Sequence, residues 1–264
     1  MELALHLPNN KEVIAREFVY KDLKQLIYLK DSSLACSTKF LESFICTKNL
    51  NVLEKFSALI LLRKRCVGDN ITMNSDKGGI QINLDFILKN IGGAQEIKKH
   101  VDINDVKYVL NYPSRFNLGD SDSIFSLIES IQIGDERITT GELTSEEFNQ
   151  LVNSLPKQLL PHLSDYLDKT QRFFNINVWA KREKVSIDEL SLNVLSTDLP
   201  AFLISIFNVM VESDYREFLF ALSHRIPDMA FLTNCTFKEI EDFYSLYERE
   251  INNRDANLQS SSAN

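Results

Sequence analysis

Residues 53–70, LEKFSALILLRKRCVGDN, constrain this chain more than any other stretch. Leu53, Phe56 and Ile60 recur at helical spacing, and Val52, Leu59 and Leu62 widen that stripe almost all the way round. A helix apolar on so much of its circumference is stable only when other elements enclose it, so it should lie inside the domain. Its C-terminal end changes character within one turn. Arg63, Lys64 and Arg65 meet the partial negative charge of unpaired carbonyls, worth roughly 0.3–1 kcal/mol each, and Gly68 offers the left-handed residue that ends a helix. The triplet therefore reads first as a helix terminus, and second as a corner for an acidic protein surface or a phosphate.

Enough chain exists to enclose such a helix. The 264 residues are 44% hydrophobic and 25% charged, and 8 Gly with 6 Pro argue against long unstructured linkers. A formal net charge of −8 sets the overall field against phosphate backbones and anionic lipid heads. The basic runs, Arg63 to Arg65, Lys98 to His100 and Lys181 to Lys184, read as solvated faces, so nucleic acid is not an expected partner. The opening MELALHLPNNKEV lacks a basic segment followed by a long apolar one, which predicts no secretion signal. The run from Ala201 to Val211 is too short to span a bilayer, which takes roughly 20 residues. These features predict a cytosolic protein. Cys36, Cys46, Cys66 and Cys235 are too scattered for a tetrahedral metal site and read as reduced, mostly buried thiols.

Alternation of Leu3, Leu5 and Leu7 predicts a strand closed by Pro8 and Asn9-Asn10, and Glu17 to Tyr20 predicts a second. A helix follows through Leu23, Leu26 and Ile27, capped by Asp22. Leu34, Leu41, Phe44 and Ile45 predict a second helix behind Asp31-Ser32-Ser33, and Asn49 is expected to start the third. Beyond Gly68, DNITMNSDKGGIQINLDFILKNI reads as two extended runs around Asp76-Lys77-Gly78-Gly79. DVKYVLNYP predicts a strand with Val106, Tyr108 and Leu110 on one face and Pro113 as stop. Asp120 to Ser123 then read as caps of a helix through Ile124, Leu127, Ile128 and Ile131, not as a calcium loop, which would need a glycine and a terminal glutamate.

From Gly141 the pattern becomes mainly helical. Thr144 and Glu147 form a capping-box signature ahead of Phe148, Leu151 and Val152, and Pro156 ends that helix and opens the next, carried by Leu159, Leu163, Tyr166 and Leu167. FFNINVWAKREKVSIDELSLNV fits either two strands with a charged turn or irregular chain. Asp198 starts a helix through Phe202, Ile206 and Val209, residues 213–225 form another, and Phe237, Ile240, Tyr244, Tyr247 and Ile251 make a seam at alternating gaps of three and four. The polar residues 254–264 read as a mobile tail. The fold class is α+β: N-terminal helices with short antiparallel strands and hairpins, followed by a mainly helical C-terminal half. The expected division is an α+β domain over 1–140 with a central buried helix and a β-hairpin, a helical domain over 141–253, and the tail.

No residue set is arranged for chemistry. There is no Walker loop, dinucleotide fingerprint, Gly-x-Ser-x-Gly elbow or HExxH, and His6, His100, His162 and His224 are far apart. No enzyme activity, cofactor or metal is expected. A soluble protein that binds other proteins remains.

Several stretches, taken in order, carry a resemblance: REFVYKDLKQLI, LEKFSALILLRKRCVGDN, IQINLDFILKNI, VDINDVKYVLNYP and ELTSEEFNQLVNSLP. The chain resembles the baseplate hub assembly proteins of T-even-like contractile-tailed bacteriophages over roughly its first 210 residues. Relatives of this kind often place Cys-x-x-Cys pairs where this chain reads TMNSDKGGI and NVWAKREKV, so the resemblance implies zinc-ribbon positions here without thiolates. It further implies a morphogenetic role in the infected host's cytoplasm, with hub, spike-lysozyme and tape measure proteins as partners. The length of the chain favours an assembly catalyst over a hub subunit kept in the virion. Three surfaces are expected to bind partners, because aromatics and arginine are enriched in binding hot spots: the corner Arg63, Lys64 and Arg65, the loop bearing Trp179, Lys181 and Arg182, and the seam bearing Phe237, Tyr244 and Tyr247.

Overall fold

The computed structural model describes residues 1–30, 33–75, 78–92, 99–116, 124–174, 178–179, 186–187, 192–208, 216–217, 220, 222, 228–243, 245–246 and 249. The architecture is α+β, with strand hairpins and helices in the N-terminal half and a helical C-terminal half. Strands β1 (Glu2–His6) and β2 (Glu12–Arg16) form a hairpin pairing Glu2 with Arg16 and His6 with Glu12. The second strand thus lies earlier than the expected Glu17 to Tyr20. Chain reversal is completed by Asn10 at φ 59 and by Leu7 N–H donating to Lys11, which puts Val13 and Ala15 in the core.

Helix α1 (Tyr20–Lys30) begins just after that hairpin. Asp22 does not precede it as a cap. It sits in the first turn, accepts from the Val19 N–H at 3.0 Å and pairs with Arg16 at 3.1 Å, a buried carboxylate satisfied on both sides. Helix α2 (Leu34–Glu42) is capped by Ser33, whose Oγ accepts from the Cys36 N–H; Asp31 and Ser32 lie outside the described residues. Phe44 and Ile45 lie beyond its end, and Ile45 bridges to Ala15 at the edge of β2.

The central helix α3 (Val52–Cys66) starts three residues later than the expected Asn49. Asn49 is in a left-handed turn at φ 59, and Asn51 makes a reciprocal capping box with Glu54. The Val52 N–H donates to the Pro113 carbonyl, which fixes this end of the helix against the chain leaving a strand. Val52, Leu53, Phe56, Leu59, Ile60 and Leu62 are all buried, and α3 packs against both strands of the first hairpin, α2 and two later helices. The enclosure demanded by its circumference is met.

Strands β3 (Asn70–Ser75) and β4 (Gly78–Asn83) form the expected hairpin, but Gly78 and Gly79 belong to β4, and the turn residues Asp76 and Lys77 lie outside the described residues. The second extended run is shorter than expected: it gives way to α4 (Leu84–Gly92), where Leu84, Ile87, Leu88 and Ile91 follow helical spacing and are buried against α3.

Strands β5 (Lys99–Ile103), β6 (Val106–Leu110), β7 (Ile128–Ile133) and β8 (Glu136–Thr139) make an antiparallel meander in chain order. The helix expected through Ile124 to Ile131 is absent. Ile124–Leu127 is a 3-10 turn and Ile128 onward is strand, because Tyr108 and Ile138 flank Ile131 on either side and supply the pairing that β-branched residues favour. The expected caps Asp120 to Ser123 lie outside the described residues. The β7–β8 turn has Gly134 at φ 58, a conformation glycine adopts without strain.

Helix α5 (Ser145–Ser154) carries the expected capping box between Thr144 and Glu147, and α6 (Leu159–Gln171) buries Leu159, Leu163 and Tyr166 against β5 and the 3-10 turn. Strands β9 (Val178–Trp179) and β10 (Ser186–Ile187) pair antiparallel. Helix α7 (Asp198–Phe207) packs on α2 and α3, with Val209 and most of 213–225 outside the described residues. Helix α8 (Met229–Asn234) docks on α1, and residues 237–243 are helical behind a Thr236–Glu239 cap. The core is one continuous cluster running from Leu5 to Ile240. Phe56 joins its two halves, 5.8 Å from the Phe174 ring and 6.0 Å from Phe202. Residues 254–264 lie outside the described residues.

Candidate protein-binding surfaces

The three residues of the basic triplet have three different environments. Arg63 does not face solvent: its Nε donates to Ile206 O at 2.8 Å, Nη1 to Gly68 O at 2.6 Å and Nη2 to Asn70 O at 3.3 Å. One guanidinium thereby ties the end of α3, the turn after it, β3 and the end of α7. Burial lowers its pKa to about 10, opposed by the negative charges of Glu241 and Asp69. As a partner-binding residue Arg63 is corrected to an internal staple, because its donors are consumed by main-chain carbonyls. Lys64 Nζ reaches Asp85 Oδ1 at 2.6 Å and links α3 to the first turn of α4. Arg65 alone of the three is exposed. Gly68, at φ 142, ends the helix as expected, and both its N–H and that of Val67 donate to the Arg63 carbonyl.

Phe237 is also turned inward, 5.1 Å from the buried Tyr20 ring, so its place on the seam is a core position. The Tyr20 N–H donates to Cys235 O at 2.9 Å and Lys21 Nζ to Asn234 Oδ1 at 2.7 Å, which seats the turn before Phe237 on the start of α1. The helical residues 237–243 pass close enough to the end of α3 for Glu241 and Glu239 to act on Arg63 and Cys66. Tyr244 and Tyr247 lie outside the described residues, as do Lys181 and Arg182. The backbone of Trp179 pairs with Ser186.

Sequence reading missed the apolar side chains that are exposed. Phe231 and Phe243 form an edge-to-face pair at 5.5 Å, and Ile133 and Ile138 project beside the β7–β8 turn. Phe243 lies off the seam, so only helical packing places it outside. The second pair had a signal, alternating Ile131 and Ile133 interrupted by Gly134-Asp135, a hairpin pattern.

Two thiols, Cys66 and Cys235, are buried, whereas Cys36 and Cys46 are exposed against expectation. Burial pushes the Cys66 thiol up to about 11, beyond the opposing donation from the Phe18 N–H at 3.4 Å. Such a thiol is held protonated and inert. His6 Nδ1 stands 3.9 Å from Glu12 across the first hairpin, both exposed. Among the described residues no cluster of three or more His, Cys, Asp and Glu is poised to hold a metal ion. Where the resemblance implies zinc-ribbon positions, β3–β4 and β9–β10 do form hairpins, with β4 against β9. Neither TMNSDKGGI nor NVWAKREKV contains cysteine or histidine, so these segments do not fit a zinc centre.

Residues 1–192 match the family profile described as T4 bacteriophage base plate protein. The chain belongs to that family. The match spans the first hairpin, the enclosed helix α3, the meander and the β9–β10 hairpin. No curated protein and no solved structure matches the chain. Among the described residues no helix is long and apolar enough to cross a membrane.

Proposed function

We propose that this base plate protein is a hub assembly factor, acting by protein–protein binding and not by making or breaking covalent bonds. The observation that carries the reading is the family match over residues 1–192. The enclosed α3 with its internal arginine gives a rigid body, and the exposed apolar pairs Phe231–Phe243 and Ile133–Ile138 give it surface to lend. Its partners are the hub, spike-lysozyme and tape measure proteins, met in the host cytoplasm during infection, and it requires no cofactor.

An assembly factor must bind a subunit before incorporation more tightly than after, since differential affinity is what lets it leave. Modest interfaces serve that cycle better than large ones. The decisive experiment removes the gene and identifies the base plate intermediate that accumulates. Wedges accumulating without hubs is the expected result, and normal tails would sink the reading. Proteomics of purified tails gives the second arm: an assembly factor is absent, and a stoichiometric amount makes the chain a structural hub subunit instead.

A further inference from the structure

The β5–β8 sheet is amphipathic, and its apolar face is left open at one edge. Strand register aligns Val101, Tyr108, Ile131 and Ile138 in one row, and Ile103, Val106 and Ile133 in the next. Val101, Tyr108 and Ile131 are buried, but Ile138 is 38% exposed and Ile133 54%. The other face of the outer strands bears Gln132, Arg137 and Thr139. The row of buried side chains thus runs out to β8 and stops there without cover.

The backbone of β8 is equally incomplete. A two-residue turn makes Ile133 and Glu136 a hydrogen-bonded pair, and alternation makes Ile131 and Ile138 the next. Arg137 and Thr139, at the intervening positions, direct their N–H groups away from β7, and Arg137 directs its carbonyl the same way. Among the described residues β8 is the last strand of the sheet, and α6 packs on the opposite margin at β5. Those outward groups are complementary to one thing, another extended chain.

We propose that β8 accepts an added antiparallel strand from a partner polypeptide, with an apolar residue opposite Ile138 and an acidic residue opposite Arg137. Charge decides the acid: the Arg137 side chain is 56% exposed and only 3.7 Å from Glu129, so a second carboxylate shares its donors in the open. Opposite Glu136 the same reasoning calls for a basic residue. A second copy fits less well. Two β8 strands with Ile138 opposite Ile138 leave Arg137 against Thr139, and the register with Arg137 opposite itself sets like charges together. The few backbone bonds available give a weak, releasable contact, which deepens the assembly reading and rests on it.

The test uses the full chain and a blocked peptide containing Thr-Val-Glu-Lys, with a control peptide in which Glu and Lys are exchanged. Arg137→Pro removes the outward N–H where an edge strand tolerates proline, and Ile138→Lys removes the apolar contact without touching the backbone. The expected result is slowed amide exchange at Arg137 and Thr139 on adding the first peptide, and affinity reduced about tenfold or more by either variant. Equal binding by wild type and both variants, or equal binding of the two peptides, overturns the proposal. So does a concentration-dependent dimer that Arg137→Pro abolishes, which would give the edge to a second copy. Failure of the peptide test with hubs still dependent on the gene removes strand docking and leaves the assembly reading intact. Normal tails without the gene, alongside specific peptide binding, does the reverse.

Discussion

The guanidinium of Arg63 donates to the main-chain carbonyl of Ile206 at 2.8 Å, across 143 residues of sequence. That contact, with the bonds to Gly68 and Asn70, joins the central helix, the turn after it and β3 to the end of α7. Replacing Arg63 with Ala strands buried carbonyls, so it should cost about 3 kcal/mol in urea unfolding. Arg65→Ala, an exposed neighbour, should change stability by less than about 0.5 kcal/mol. Equal effects would mean that Arg63 is not the staple.

Thiol reactivity separates the cysteines. Native protein should react with a thiol reagent at Cys36 and Cys46 within minutes, and at Cys66 and Cys235 only on unfolding. Mass spectrometry of labelled peptides reads this directly.

Alkaline pH should destabilise the fold through the same buried groups. Burial raises the Cys66 thiol to about 11, and also raises the hydroxyls of Tyr112 and Tyr166. A raised folded-state pKa gives stability that is complete below the unfolded value and lost as pH climbs through the folded one. For Cys66 the window is pH 9 to 11, with a loss of about 1–3 kcal/mol. Cys66→Ala should flatten the profile in that window, and an unchanged slope would contradict the assignment.

Asp165 accepts from Lys99 of β5 and from Lys169 one turn along α6, both at 2.9 Å, and these donors hold its carboxyl down to about 2. A depressed carboxyl stabilises above its unfolded pKa, and that contribution disappears as pH falls through the folded value. NMR titration should find the midpoint near 2, and Lys99→Met should move it upward. No upward movement would place Lys99 away from the carboxylate in solution.

Both capping boxes should be measurable. Thr144→Ala and Asn51→Ala each remove an acceptor for an orphan helix N–H and should cost about 1 kcal/mol, seen as a lower urea midpoint at constant slope. An effect below about 0.3 kcal/mol would show solvent satisfying that N–H equally well.

The sequence by itself determined what is settled within one or two turns of chain. The circumference of apolar side chains required α3 to be enclosed, Thr144 with Glu147 announced α5, and Gly68 marked the end of the central helix. These depend on neighbours three or four residues away, and local spacing carries that information. Tertiary structure decided the rest. Ile128 and Ile131 satisfy helical spacing and strand propensity alike, and only Tyr108 on one side and Ile138 on the other resolve them as β7. Arg63 and Arg65 are identical in composition and two positions apart, yet one is internal and one exposed, because Ile206 brings a carbonyl to the first from the far end of the chain. A side chain's partner, when it comes from another element, is fixed by packing and has no representation in local sequence.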